Sequence, residues 1–396
     1  MDQNQHTKMS KTIYLDNAAT TQVADEVLKE MEPYFSQKFG NASSVHFLGQ
    51  EARRAIENAR AKIAKSINAG KDEIIFTSGG TESNNLAIKG IAFARGKGHI
   101  ITTKIEHDCV LNTCKWLEKQ GFEVTYLDVD SDGFIDLKKL EKAIRKDTIL
   151  VSIIHGNNEI GTIQNFEAIG EICKKHNVLF HTDACQSYTK TELDVKKQNL
   201  SLVALNAHKI HGPKGVGALY IKQGTKIIPW QHGGGQEFNL RSGTENIPGI
   251  VGFERAVELM NKKDVEKMIK LRDKLIEGVL SKIKNVKLNG PRENRLCNNV
   301  NFSFEGVEGE ATGTYLDSYN ICSSTGSACS SKSLEPSHVL KAIGLSDEEA
   351  HGSLRLSLSK YTTEEEIDKV LEVLPIIINK LRKISPFEKI VEMLPK

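Results

Sequence analysis

The sequence predicts an α/β fold: a large domain built around a parallel sheet, followed by a smaller α+β domain. Three observations predict it. Between residues 71 and 221, short β-branched runs alternate with amphipathic helical stretches, the pattern of βαβ units. After Gly249 the texture changes to a helical stretch rich in Lys and Glu, and then to a second set of strands and helices. At 396 residues the chain has room for two or three domains of about 100–200 residues each, and can bury a core without disulfides or metals.

In order, the strand candidates of the first part are "EIIFT" (73–77), "HIITT" (99–103), "EVTYLDV" (123–129), "ILVSII" (149–154), "VLFHTD" (178–183) and "GALYI" (217–221). Residues 82–94, 137–144 and 166–176 carry apolar residues at three- and four-residue spacing and read as helices between them. Residues 250–283 read as one helical connector. Beyond it, "NVNFSF" (299–304) and "SLRLSLS" (353–359) read as strands, and "TTEEEIDKVLEVL" opens a charged helix. The Gly/Ser-bearing run "CSSTGSACSSKS" (322–333) is too short and mixed for a linker and reads as a functional loop.

Composition excludes several classes. Apolar residues at 39% and charged residues at 26% describe an ordinary globular protein, and a net charge of +2 asks for neither nucleic acid nor an anionic membrane as partner. No apolar run approaches the roughly 18 residues of a spanning helix, and the polar residues 1–11 lack the apolar core of a signal peptide. Seven scattered cysteines, an odd number, argue against a secreted disulfide framework and for a reducing, cytoplasmic setting.

Three segments carry chemistry. In "IIFTSGGTESNNLAI" (74–88) a strand runs through Gly79 and Gly80 into a helix, a ready seat for phosphate with Thr81 adding a hydroxyl. An ordinary strand–turn–helix with Thr81 as N-cap uses the same residues. In "VLFHTDACQ" Asp183 ends a strand, where ligands sit in open α/β sheets; it can hold a pyridine nitrogen protonated or cap the next turn. In "LNAHKIHGPKGVGALYI" (205–221) Lys209 follows an apolar strand beside His208, a setting that suits a Schiff-base lysine as well as a basic loop. Together they are the parts of a pyridoxal phosphate (PLP) site.

The chain resembles the cysteine desulfurases of the NifS/IscS type, class-V-aminotransferase-like members of the PLP-enzyme group that shares the aspartate aminotransferase fold. The matching segments are "IYLDNAATT" (13–21), "GNASSVH" (40–46), "TSGGTESNN" (77–85), "EHDCVL" (106–111), "GNNEIGT" (156–162), "HTDACQS" (181–187), "HKIHGPKG" (208–215), "GGGQE" (233–237), "RSGTEN" (241–246), "STGSACSS" (324–331) and "LEPSHVL" (334–340), in the family's order. The resemblance implies a mostly parallel sheet of the seven-stranded type in a large domain at 12–262. A small domain at 263–396 would carry the catalytic cysteine loop 322–335, and residues 1–20 would touch it. It implies PLP held by Lys209, with Asp183 on the pyridine nitrogen and His107 over the ring, steadied by Val110 and Leu111. Gly80, Thr81, Asn206 and His208 would hold the phosphate, Asn158 and Gln186 would lie near the ring and substrate, and Thr244 would reach the phosphate of a partner subunit in a homodimer. Arg355 would clamp the substrate carboxylate; read alone, it could equally be a structural ion pair. Cys329 would take sulfur from L-cysteine, leaving L-alanine, and pass it to iron–sulfur scaffolds or other acceptor proteins; it is also the residue that could transiently ligate a cluster.

Three positions depart from the family pattern: Asn206 for Ser, Phe238 for Arg and Ala42 for Pro. Cys109, Cys114, Cys173 and Cys185 read as small buried hydrophobes, and Cys322 as packed. Residues 128–139 nearly fit a calcium loop, but Lys139 stands where the bidentate Glu is needed, so a turn feeding a helix is the plainer reading. Cys173, His176, His181 and Cys185 have zinc-ligand chemistry without zinc-site spacing. Selenocysteine lyase or aminotransferase activity, and a non-catalytic scaffold in sulfur transfer, are the alternatives.

Overall fold

A computed structural model describes residues 12–325 and 336–384. Its largest element is a seven-stranded sheet of β2 (Ile74–Thr77), β3 (His99–Thr103), β4 (Glu123–Leu127), β5 (Thr148–Ser152), β6 (Leu179–Asp183), β7 (Leu202–Asn206) and β8 (Gly217–Ile221). Their order is β2-β8-β7-β6-β5-β3-β4. Only β8 runs against its neighbours; every other pairing is parallel. The sheet is buried on both faces, as βαβ crossovers require. Ile74 and Phe76 face one hydrophobic cluster while Ile75 faces another, and Ile101 and Ile100 divide the same way.

Helices α1 (Asp25–Met31), α2 (Pro33–Ser36) and α3 (Phe47–Ser66) precede the sheet. The segments between its strands supply α4 (Gly80–Arg95), α5 (Asp108–Glu118), α6 (Leu137–Ala143) and α7 (Phe166–Lys175). Helices α4 and α5 cover one face through Leu86, Ile91, Val110 and Leu117, whereas α3 and α7 cover the other through Ile56, Ile63, Phe166 and Ile169. Asp136 caps α6 by accepting from the N–H groups of Lys138 and Lys139, and Asp130 accepts from those of Asp132 and Phe134. The acidic run is thus a turn feeding a helix.

The expected connector at 250–283 is two helices, α8 (Ile247–Leu259) and α9 (Lys262–Lys282). Met260 is extended, and the Asn261 side chain accepts from Asp264 N–H to start the second helix. The two halves serve different cores: Ile250 and Phe253 join the sheet cluster, while Leu275 and Val279 join a separate one. That second core lies around an antiparallel sheet ordered β12-β10-β9: β9 (Val286–Leu288), β10 (Asn299–Phe304) and β12 (Ser353–Ser357). It is packed by α10 (Gly309–Asp317) and α13 (Glu364–Ile384). Strand β12 ends at Ser357, and the Leu358 N–H still donates to Asn298 O, one position beyond the last paired residues. A short parallel pair joins β1 (Ile13–Tyr14) to β11 (Ile321–Cys322), so the chain's start is stitched to this second unit. Helices α11 (His338–Ala342) and α12 (Asp347–His351) pack through Val339, Leu340 and Ala350 onto Ile105, Ile154 and Ile160 at the end of the large sheet. Among the described residues no helix is long and apolar enough to cross a membrane.

Candidate active site

The carboxyl ends of β2, β3, β5, β6 and β7 point to one side of the sheet, and the loops leaving them line a cavity of about 270 Å³. It brings together Gly80, Thr81, His107, Asn158, Asp183, Asn206, His208, Lys209 and Arg355. Residues up to 275 positions apart in the chain meet here because each sits at a strand end or a few residues past one or, for Arg355, inside β12.

At the cavity floor, Asp183 closes β6. Its Oδ1 accepts the Cys185 N–H at 2.9 Å and its Oδ2 accepts Asn84 Nδ2 at 2.7 Å. The turn-capping role is therefore real for one oxygen, while the carboxylate as a whole still lines the cavity. His107 is the N-cap of α5: its Nδ1 accepts the Cys109 N–H at 3.2 Å, which leaves the neutral ring's proton on Nε2. Burial pulls its proton affinity down, with Asp183 opposing.

Lys209 follows β7. Burial lowers its proton affinity, Cys185 and Asp183 pull the other way, and Arg355 adds to the lowering. Beside it, burial and then Lys209 bring His208 down to about 4, so its ring is neutral near pH 7, with Nδ1 3.2 Å from Thr20 Oγ1. Asn206 Oδ1 is buried without a hydrogen-bond partner. Helix α4 begins at Gly80 with Gly79 as N-cap and no side-chain cap, so the Thr81 hydroxyl is not spent on capping. Only glycine fits at position 80, since a Cβ there would lie 2.4 Å from Cys185 Sγ.

The opposite wall comes from the second core. Arg355 is 2% exposed; its Nη1 donates to Asn158 O and its Nη2 to Asp16 Oδ1, both at 3.1 Å, and its Nε has no partner. It is thus an ion-pair residue and a cavity residue at once. Its backbone exchanges two hydrogen bonds with Ser324, at 2.7 and 3.2 Å. Across the cavity, Ser337 donates to Glu159 Oε2 at 2.5 Å, and His338 Nε2 lies 2.9 Å from Glu106 O. Residues 324 and 337 flank the segment that holds Cys329, which lies outside the described residues.

Gln186, expected near the ring and substrate, is not in the cavity lining, and Thr244, expected at a partner subunit's phosphate, is not in it either. Gln186 is buried and its Nε2 donates at 2.8 Å to the carbonyl of Ala18, which does line the cavity. Thr244 is exposed beyond the Arg241–Glu82 ion pair. Cys109 and Cys185, expected as plain core, line the cavity instead, because the α5 N-terminus and the turn after β6 both open onto it. Cys114 and Cys173 are buried as expected, and Cys322 is only half-buried in β11. The four zinc-type side chains go separate ways: His181 to Ser152, His176 to Glu141, Cys173 into the core and Cys185 to the cavity.

Three residues were not singled out from the sequence. Glu106 is buried, burial pushes its carboxyl up to about 8, and one of its oxygens has no partner. Glu159 is also buried and raised by burial. Asn84 reaches Asp183 from the first turns of α4. All three lie inside quoted motifs, and a charged or amide residue beside a motif's functional one was the available signal.

Phe238, the departure from the family's Arg, sits on a strained turn. Glu237, Phe238 and Asn239 all have positive φ (46°, 57° and 63°). Below them the Glu237 carboxylate is held by Arg60 through two 2.7 Å hydrogen bonds and by the Phe76 N–H at 2.7 Å, and the guanidinium lies under the Phe238 ring at 5.1 Å.

A sheet-end cavity with a buried lysine, a carboxylate and an arginine defines a class of protein, and the comparisons agree with it: residues 13–370 match the family model described as aminotransferase class-V, and the chain belongs to that family. Within it the chain stands among the cysteine desulfurases. It is 55% identical to cysteine desulfurase IscS of Dictyoglomus turgidum, over 96% of this chain and 98% of that one. It is likewise 55% identical to cysteine desulfurase IscS of Methanosarcina thermophila, over 95% and 94%. Among solved structures, a NifS-like protein matches with TM-score 0.87 at 43% identity, covering 94% of this chain and all (100%) of that one. A structure titled SspA in complex with cysteine matches with TM-score 0.81 at 43% identity, over 89% and 100%.

Proposed function

We propose that the protein is a PLP-dependent cysteine desulfurase that converts L-cysteine and its own Cys329 thiol into L-alanine and a Cys329 persulfide. The observation that carries this reading is the convergence of Lys209, Asp183 and Arg355 on one cavity, with both flanks of the Cys329 segment hydrogen-bonded to its rim. From Ser324 to Cys329 the chain can span at most about 17 Å.

The residues fit PLP. Gly80, Thr81, Asn206 and His208 would hold its phosphate: the cradle has no room for a Cβ at position 80, and the Asn206 amide NH2 lies beside it as a donor. Asp183 would hold its ring nitrogen and Lys209 its carbonyl carbon, and when bound the group serves as an electron sink for charge developing at the substrate α-carbon. Lys209, its proton affinity lowered, serves as nucleophile and then as the base for the α-proton. Arg355 orients cysteine by its carboxylate through the N–H groups of its guanidinium that Asn158 O and Asp16 do not take. His107 and Asn158 flank the ring and substrate. The Cys329 thiolate attacks the cysteine sulfur; an S–S bond forms as the C–S bond breaks, and the electron pair stays with carbon, which takes a proton and leaves as alanine.

We infer further that the chain works as a homodimer in the cytoplasm, with domains at 12–262 and 263–396, and hands sulfur to iron–sulfur scaffolds or other acceptor proteins. Exposed Phe35, Phe39, Val45 and Phe47 form an apolar stretch suited to a second copy, and exposed Thr244 is available to the partner's phosphate. The test is direct. Purified protein should absorb as a PLP enzyme and release alanine from cysteine; Lys209→Ala should lose both, and Cys329→Ala should lose only the turnover. Normal turnover in Cys329→Ala would overturn the sulfur-acceptor assignment.

A further inference from the structure

A continuous hydrogen-bond chain runs from Asp183 to His107. Asn84 is fully buried and uses its Nδ2 twice, donating to Asp183 Oδ2 at 2.7 Å and to Cys109 Sγ at 3.2 Å. Cys109 Sγ in turn lies 3.1 Å from His107 Nδ1. The direction of this chain is fixed. Turning the Asn84 amide over would set its oxygen against the Asp183 carboxylate, acceptor to acceptor, so the NH2 must face both neighbours although this leaves Oδ1 unpartnered. Burial and the nearby Asp183 keep the Cys109 thiol protonated far above neutral pH. With its sulfur already accepting from Asn84, its S–H has His107 Nδ1 to donate to.

We propose that Cys109, oriented by Asn84, is a positioning residue that holds His107 neutral with its proton on Nε2, so that His107 meets substrate and cofactor as a hydrogen-bond donor and not as an imidazolium. Two donors, the Cys109 S–H and N–H, converge on Nδ1, and protonating that atom would turn both into clashes. The groups facing the imidazole are Asp183 on β6, Asp108 on α5, Lys209 after β7 and His338 on α11; the first two favour the charged ring, the last two oppose it, and burial opposes it most. Neighbouring Glu106 is buried with a carboxyl raised to about 8, so below that pH it adds little negative charge. The inference rests on the proposed role of His107 beside the PLP ring.

The test is nitrogen NMR on the full chain with isotope-labelled histidine, with and without PLP, the His107 signal being assigned by its loss in His107→Gln. In the wild type His107 should show Nε2–H and titrate below a free imidazole. Cys109→Ala should raise its titration midpoint by about one pH unit, as one lost hydrogen bond to the neutral form would. Cys109→Ser, which restores an O–H donor, should return it most of the way; Cys109→Val keeps the volume and should behave as Ala does. Identical titration in wild type and Cys109→Val, or a wild-type ring protonated on Nδ1, overturns the proposal. Failure of the functional reading would look different: wild-type protein releasing no alanine from cysteine, with the imidazole signal unaffected.

Discussion

The cavity has two walls built on different principles. The sheet wall fixes its groups through burial and through polar contacts from the helices and turns at the strand ends: Asp183 through Asn84 and the Cys185 N–H, His107 through α5, Lys209 by burial just past β7. The other wall offers a single guanidinium on β12, held by one carbonyl and one carboxylate, and its backbone is bonded to the root of the Cys329 segment. The difference matches what each wall must do. A resident cofactor needs groups held in place between turnovers. On the proposed reading, a substrate that arrives and leaves is served by one guanidinium clamp beside the root of the Cys329 segment.

The largest expected effect breaks the first wall. Lys209→Ala should lower cysteine turnover by roughly 10²–10⁴-fold or more, measured as alanine release, since it removes nucleophile and base together. Next comes the second wall: Arg355→Ala should cut kcat/KM for cysteine by roughly 10–150-fold, the value of a charge-assisted hydrogen bond. Most of that loss should fall in KM, and Arg355→Lys should recover only part of it because the planar fork is gone. If PLP absorbance vanished in Arg355→Ala, the division of labour between the walls would be wrong.

Stability tests sharpen the same contrast. Arg60→Ala leaves Glu237 charged and buried without its cation, so urea unfolding should show a loss of about 3–5 kcal/mol. The sheet wall should also be the acid-sensitive one. Burial takes His155 and His181 down to about 4, below the roughly 6.5 of an unfolded chain. Their contribution is complete above pH ~6.5 and is lost as pH falls toward ~4, about 3 kcal/mol for each. Glu106, raised to about 8, works in the opposite sense: its contribution is present below its ordinary value and fades as pH rises through 8. His155→Gln should therefore flatten the acid limb of a stability profile, while Glu106→Gln should steepen the rise between about pH 4.5 and pH 6.5. The smallest effect belongs to Gly80→Ala, whose clash with Cys185 should weaken PLP retention by about 1–3 kcal/mol and be relieved by adding Cys185→Ala.

The strand pattern made the large sheet legible because β-branched runs separated by helices leave few alternatives. β3 and β8 fall on the expected residues, and β2, β5 and β6 within one or two of them. The break at Met260 was invisible to helical periodicity, which continues across it; only the Asn261 cap ends the phase. Within the site, residues just past strand ends could be found from sequence. Asn84 and Cys109 could not, since their roles depend on contacts across 99 and 25 positions. Gln186 shows a related point: proximity in sequence to a functional residue does not set which partner a side chain takes, and its amide donates to Ala18 O.

The clasp beneath Phe238 has a kinetic consequence. Three consecutive left-handed residues hold their shape only while Glu237 is docked, and the Phe76 N–H that donates to that carboxylate lies inside a strand. That amide is therefore a built-in reporter. Its hydrogen-exchange rate should follow the opening of the 237–239 turn, so the free energy of that opening is read from a single peak without touching the cavity.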